Sequence, residues 1–484
     1  MIGELLSPAG LVALVPILVA AGLGFVRAPR LGAWINIAGA AAALLLACAL
    51  PWQMGAGTLL LVDRLSAHMA ILTAFVGLTS AWFSRSYIAV ELEAGRLDPP
   101  RVRQYHALFQ AFLGFMLLAL LSNNLGVTWV AMEAATIATV LVVGLPRTAE
   151  AVEASWKYFI ICGVGIALAL FGTILLYLAA LPVLGPGLEA MSWSSLSLAA
   201  ARAPAPLLNL AFVFLLIGYG TKAGLAPLHT WMPDAHAEGP TPVSAVLAGS
   251  VLNVALVMLL RVRGLMDANA EAIDPGVPLM ALGLASVLMA AFSLWRRRDV
   301  KRFFAYSTIE QTGIAAFAFG LGGASAIFAG LLHMTAHTLI KAAIFHCVGR
   351  ASQLKGGQKF EAIGGLIANH RALGLTLAAG IIAIAGLPPF ALFASEYLIA
   401  AETIRRLPWL MLPFGLGLVV ATWALLARLI TLCLGPPTPD GGIRLPVHVL
   451  APAWLHLALA AMLGLAMPAP LVAWFTALAG GLAR

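Results

Sequence analysis

The sequence predicts an all-α integral membrane protein of about fourteen transmembrane helices, and three observations carry that reading. The chain is 62% hydrophobic and only 10% charged over 484 residues, where a soluble protein carries about 25% charged residues. Its apolar stretches reach the roughly 20 residues that a helix needs to cross a bilayer. The connections between them are short. One membrane domain, 1–484, therefore replaces the about three soluble domains that length alone would suggest.

In chain order the spans fall near 8–27, 32–51, 62–90, 104–122, 125–145, 156–181, 206–228, 241–262, 276–295, 303–321, 325–349, 371–402, 408–434 and 449–477. Met1–Gly10 lacks the basic region of a cleaved signal peptide, so the first run is expected to remain as a membrane helix. The longest irregular connections lie near 182–205, 264–275, 350–370 and 435–448. None can fold a cofactor domain, so no cofactor is expected here and redox chemistry falls to a partner. Cys48, Cys162, Cys347 and Cys433 lie in or beside apolar runs, with no two at ligand spacing. They read as small buried residues, without an iron–sulfur site or a disulfide framework.

The formal net charge is +8, but the basic residues form no patch interleaved with aromatics. That argues against nucleic acid and for a lipid bilayer as the surroundings. Arginine and lysine sit in short loops, where they orient a membrane protein. Arg296, Arg297, Arg298, Lys301, Arg302, Arg350, Lys355, Lys359 and Arg444 are among those gathered on one side. Arg64, Arg202, Arg261, Arg263, Arg405, Arg406 and Arg484 fall on the other. The bias places both termini on the outer side of a bacterial inner membrane. The pairs Arg261/Arg263 and Arg405/Arg406 run against it.

Two spans are interrupted at related sequences, Gly224-Leu225-Ala226-Pro227-Leu228 and Gly386-Leu387-Pro388-Pro389-Phe390. Glycine and proline inside a span free backbone groups that lipid cannot satisfy. Such breaks are tolerated inside protein or beside water. Paired breaks point to an internal repeat with an ion path near the midplane; two ordinary proline kinks are the plainer reading.

The ionisable residues within the spans are few. Glu133 lies mid-span, Lys222 just before the first break, His333, His337 and Lys341 in one run, and Glu396 after the second break. A charge at a helix centre costs about 2.5–3.5 kcal/mol, so these groups must be paired or hydrated. Static ion pairs that lock helices together are one explanation. A proton path is the other. His333, His337 and Lys341 recur every four residues and so share one helical face. Histidine exchanges protons near neutral pH, and a lysine drawn out of water titrates closer to that range. A metal site would use the same two histidines, but no third ligand lies nearby in the sequence.

Pro227–Ser244 is polar yet lies between two apolar runs, and reads as a re-entrant or surface loop. Within it Asp234, His236 and Glu238, with His229 in support, form either a proton intake mouth or a set of solvated loop charges.

Lys222–Ser244 resembles the most specific signature of the antiporter-like membrane subunits shared by respiratory complex I, multisubunit cation/proton antiporters and membrane-bound hydrogenases. Glu133, the His333/His337/Lys341 run and Gly386–Glu396 follow in that family's order, and the resemblance covers about Asp63 to Leu434. Trp129–Val142 and Ser155–Tyr177 look most like hydrogenase-4 component F. The resemblance implies two inverted five-helix repeats, 104–262 and 276–434, each with a broken helix. It implies that Glu133 pairs with Lys222 and that Glu396 is a terminal proton site. It implies other antiporter-like and small membrane subunits as partners, and a peripheral redox arm with iron–sulfur subunits and a nickel–iron subunit as a further candidate. Many members carry lysine or histidine where this sequence has Asn253, a neutral amide that orders water but carries no proton. An end at Arg484 leaves no room for the long lateral helix of the most distal complex I subunit. The implied function is proton translocation. A sodium/proton antiporter module, an inorganic-carbon uptake module and a non-pumping scaffold are the alternatives.

Overall fold

Short polar caps and prolines set where the helices begin, because lipid offers nothing to the first N–H groups of a helix. The computed structural model describes residues 2–440 and 446–482; Arg444 and Arg484, used above for orientation, lie outside them. Helix α1 (Pro8–Leu23) starts at Ser7, whose hydroxyl accepts from the Gly10 N–H. It packs with α2 (Pro29–Cys48). Helix α3 (Arg64–Glu93) opens on a capping box. Asp63 accepts from the Ser66 N–H, and the Ser66 hydroxyl accepts from the Asp63 N–H. An antiparallel pair, Gly55–Ala56 with Leu61–Val62, closes the α2–α3 connection. Asp98 and Asn124 cap α4 (Pro99–Leu121) and α5 (Leu125–Val143).

Helix α6 (Ala149–Leu184) has 36 residues and outruns the expected 156–181. Hydropathy reports only its apolar middle; the polar first turns continue the same helix from the Thr148 cap, with Lys157 on Glu153 at 2.6 Å. Helix α7 (Ala205–Ala223) stops at Gly224, whose φ of +71° needs glycine. A turn then leads into the short α8 (Met232–Glu238). Helix α9 (Thr241–Asp267) widens into a π turn over Leu247–Val251. There follow α10 (Gly276–Leu294), α11 (Val300–Leu321) and α12 (Gly323–Lys355). Facing glycines, Gly276 and Gly283 against Gly320 and Gly313, let α10 and α11 approach backbone to backbone.

The second break falls where expected, between α13 (Arg371–Ile384) and α14 (Ala391–Arg406). Helix α15 (Pro408–Leu434) is followed by two helices, α16 (Ala451–Leu465) and α17 (Ala469–Leu482), where a single span at 449–477 was expected. Pro468 explains the difference, since proline lacks the N–H and keeps the preceding residue out of the helical region.

Helix α9 is buried along its whole apolar stretch and α12 almost so, whereas α2, α10 and α15 bury well under half of theirs. The bundle thus has two central posts and a lipid-facing ring. Among the described residues, eleven helices are long and apolar enough to cross a membrane, and α1, α13 and α17 are apolar but shorter. Cys162, Cys347 and Cys433 are buried, but Cys48 at the end of α2 is exposed, contrary to expectation. The arginines that defied the loop bias are all neutralised locally. Arg261 meets Asp63 at 2.9 Å, Arg263 meets Asp267 at 3.2 Å, and Arg405 and Arg406 share Glu402.

Candidate functional site

The first break builds a buried cation site. With α7 ending at Gly224, the Thr221 carbonyl accepts from the Gly224 N–H at 3.1 Å and also from the Trp231 indole at 2.9 Å. Trp231 stacks on Tyr158 of α6, which pins the turn against the bundle. The Ala226 N–H is met by Ser286 of α10 at 2.8 Å. One turn before the break, the fully buried Lys222 ammonium donates to Thr136 of α5 at 2.5 Å. The Glu133 carboxylate, one turn earlier on α5, lies 3.6 Å away. The structure therefore brings Glu133 and Lys222 together as an ion pair, with Thr136 taking the hydrogen bond. Thr136 was missed in the sequence because a threonine inside a helix can bond its own backbone, as this one also does.

The second set lies along α12. His333 Nε2 is 3.1 Å from the Gln311 carbonyl and its Nδ1 is 3.1 Å from the Ser395 hydroxyl of α14. Both ring nitrogens are thus engaged, which leaves neither free for a metal. Two turns on, Lys341 donates to the Phe304 carbonyl at 2.8 Å. Gln311 and Phe304 both belong to α11, so His333 and Lys341 share a face as their spacing predicts. His337 between them is buried, and its Nε2 has no partner among the described residues.

Glu396 follows Ser395, and its carboxylate lies against Gly386, where a Cβ would collide with it. The positive φ of +66° at Gly386 and the absence of a side chain together make room for that carboxyl. Sequence reasoning overlooked Glu310, a buried carboxylate on α11 beside Gln311, whose amide lies 3.3 Å from it. The signal was present: Glu310 stands mid-span, inside the polar run Tyr306–Thr312.

The Pro227–Ser244 segment is no surface loop. Trp231, Met232, Ala235, His236 and Ala237 are buried. Asp234 and Glu238 are neither isolated nor freely solvated, since Arg302 bridges them at 3.0 and 3.1 Å and Lys157 meets Asp234 at 3.2 Å. His236 stacks on Phe345 of α12, with both ring nitrogens unpartnered among the described residues. His229 faces Tyr306, its Nδ1 unpartnered. Asn253, just past the π turn of α9, donates to Thr338 at 2.7 Å, the residue after His337. The amide thus links the two posts between the Lys222 set and the histidine run.

A family described as NADH:quinone oxidoreductase/Mrp antiporter, transmembrane, matches residues 122–422. The chain belongs to this family. The matched segment contains Glu133, Lys222, the histidine run and Glu396. Within the family, a hydrogenase-4 component F homolog of Methylacidiphilum infernorum is 51% identical over 420 residues, covering 87% of this chain and 88% of that protein. Subunit 14 of the NADH-quinone oxidoreductase of Thermus thermophilus is 31% identical over 455 residues, covering 92% and 95%. A chain in the structure of the membrane-bound sulfane sulfur reductase, an archaeal respiratory membrane complex, superposes with a TM-score of 0.83 over 98% of both chains. At 23% identity that likeness speaks for the fold. The antiporter-like resemblance seen in Lys222–Ser244 is the correct one, and the chain is a multi-pass membrane protein.

Proposed function

We propose that this chain is the proton-translocating membrane subunit of a hydrogenase-4-like or complex I-like energy-converting complex. The observation that carries the reading is the Glu133–Lys222 pair, a fully buried cation and a largely buried carboxylate 3.6 Å apart beside a broken helix. A separation beyond hydrogen-bonding range leaves the carboxylate free to move off without breaking a direct bond. Once it moves, Thr136 is the lysine's remaining hydrogen-bond partner among the described residues. A neutral hydroxyl does not balance a buried ammonium, so the proton leaves Lys222. It passes by way of water ordered at Asn253 to the α12 run of Lys341, His337 and His333, and from His333 to Glu396. Ser395 lies on that last step, hydrogen-bonded to His333 and adjacent in the chain to Glu396. His229, Asp234 and His236 sit at the intake.

The two breaks support 104–262 and 276–434 as inverted repeats, because each opens on a positive-φ glycine followed by leucine and proline. The likeness to subunits of multisubunit respiratory membrane complexes supports other membrane subunits as partners; in this reading they include antiporter-like and small membrane subunits, and a peripheral redox arm with iron–sulfur subunits, a nickel–iron subunit being a further candidate, supplies the energy. The loop cations support an inner-membrane location with both termini outside.

The test is turnover-driven acidification of inverted membrane vesicles holding the assembled complex. Lys222→Ala and Glu133→Gln should abolish it while the complex still assembles. Unchanged acidification in either variant would sink the reading. The family's antiporter branch supports a second reading, sodium/proton exchange; it predicts sodium-dependent proton movement without redox turnover.

A further inference from the structure

The path above leaves one column of buried polar groups unused, on the face of α12 opposite His333, His337 and Lys341. There α12 and α3 run in the same direction and meet through polar groups at both ends of their contact. His68 Nε2 lies 2.9 Å from the Thr335 hydroxyl, and Ser80 Oγ lies 3.3 Å from His346 Nε2. Arg350 donates to Ser86. Gln353 donates to the Tyr87 carbonyl at 3.1 Å and to Glu91 at 2.7 Å. His456 of α16 joins from the side, its ring 6.0 Å from that of His346 and its Nε2 2.7 Å from the Thr79 hydroxyl.

From Thr335 to Gln353 the helix rises about 27 Å, close to the roughly 30 Å of hydrocarbon in a bilayer. At the Gln353 end a cleft of about 380 Å³ reaches Tyr87, Glu91 and Gln353. A second, of about 600 Å³, reaches Arg350. The polar groups stand at the two ends of this span, with buried Leu339, Ala342 and Ala343 on the about 16 Å of helix between Thr335 and His346; water crossing that gap would complete a route for protons that bypasses Lys222.

Arg350 interrupts it. Guanidinium has only donors and keeps its proton, so it cannot pass one on. The side chain is 1% exposed. Its partners are neutral: Gln353 Oε1 at 2.7 Å, the Ser86 hydroxyl, and the rings of Phe83 and Tyr87 at 4.7 and 5.9 Å. Among the described residues no carboxylate lies within ion-pair distance of it, and Glu91 is held by Arg96 at 2.5 Å. Ring contacts recover only part of the cost of burying a charge. What an unbalanced cation supplies in return is repulsion of any second cation in a low-dielectric surround, the means by which arginine excludes protons from pores.

We propose that Arg350 is an electrostatic plug that closes the α3–α12 column to protons and so confines translocation to the Lys222–Glu396 file. This rests on the proton-pump reading but is tested apart from it, in the resting complex. The assembled complex is reconstituted into liposomes with an internal pH dye, without redox substrate, and a potassium diffusion potential is applied. Arg350→Gln should raise passive proton influx about tenfold, and adding His346→Leu should return it to the original rate. Gln353→Glu, which places a counter-charge beside an intact guanidinium, is the second variant and should leak as well. Turnover-driven acidification by the wild-type complex, measured in the same liposomes, reports on the pump reading by itself, so a failed pump reading is distinguished from a failed plug. Tight liposomes with both Arg350→Gln and Gln353→Glu would overturn the proposal. So would a leak that His346→Leu does not close, since that marks damaged packing.

Discussion

The Lys341 ammonium donates to the main-chain carbonyl of Phe304 at 2.8 Å and lies 5.5 Å from the centre of that residue's ring. Among the described residues this buried cation makes one hydrogen bond, to a peptide oxygen, and no carboxylate lies within ion-pair range. A group placed so is easily neutralised and easily replaced. Lys341→Met should therefore leave the complex assembled, because an apolar side chain of similar length fills the same space without stranding a partner charge. It should nonetheless cut turnover-driven acidification of vesicles at least about tenfold. Undiminished acidification would remove Lys341 from the path.

The Glu133–Lys222 pair should respond unequally to loss of either member. Lys222 is fully buried, while the Glu133 side chain keeps 20% of its surface exposed. Glu133→Gln leaves the buried ammonium without its carboxylate and should cost about 1–3 kcal/mol. Lys222→Met leaves a carboxylate that is less deeply buried than the ammonium and should cost less. Thermal unfolding of the purified protein in detergent checks the order; equal losses would mean that the pair makes no electrostatic contribution.

Gly386→Ala should act on function through Glu396. A side chain at a positive φ costs about 1–2 kcal/mol, and here the added methyl also displaces the Glu396 carboxylate. The expected result is an assembled complex with most of its proton transport lost. Retained transport would show that Glu396 works from another position.

Asp63 ties the start of α3 to α9. Burial pushes its carboxyl upward, but the Arg261 guanidinium at 2.9 Å and the bonds from Ser66 outweigh that and hold it below the usual carboxylate range. A depressed folded value means that the stabilisation is complete above the unfolded value of about 3.9 and is lost as pH falls through the folded one. Asp63→Asn keeps a capping oxygen but drops the charge. Its melting temperature should be lower than wild type near neutral pH, and the gap should narrow below about pH 4. A gap independent of pH would assign the effect to packing.

Much of the fold was legible because a span needs only length and apolarity. Gly224 and Gly386 announced their breaks by composition, and the histidine run announced its shared face by spacing. Hydropathy does not show where a helix continues into polar residues, which is why α6 begins at Ala149 and not near 156. Nor does it show which face of a span looks inward. Glu310 was therefore passed over inside a polar run, and the pairing of Asp234 and Glu238 with Arg302 was out of reach. His346 and His456 stand about a hundred residues apart and meet only through packing, as do His68 and Thr335, so no sequence pattern could have joined them.

Helix α12 runs 33 residues without a break, about 50 Å end to end. It behaves as a single lever with loads on opposite sides. A shift that presses the His337 face closer to α11 must draw the Arg350 face away from α3, so neither side can be adjusted alone. Directed evolution of one face would then be constrained by the other. One distance label on the end near Lys355 would report on both.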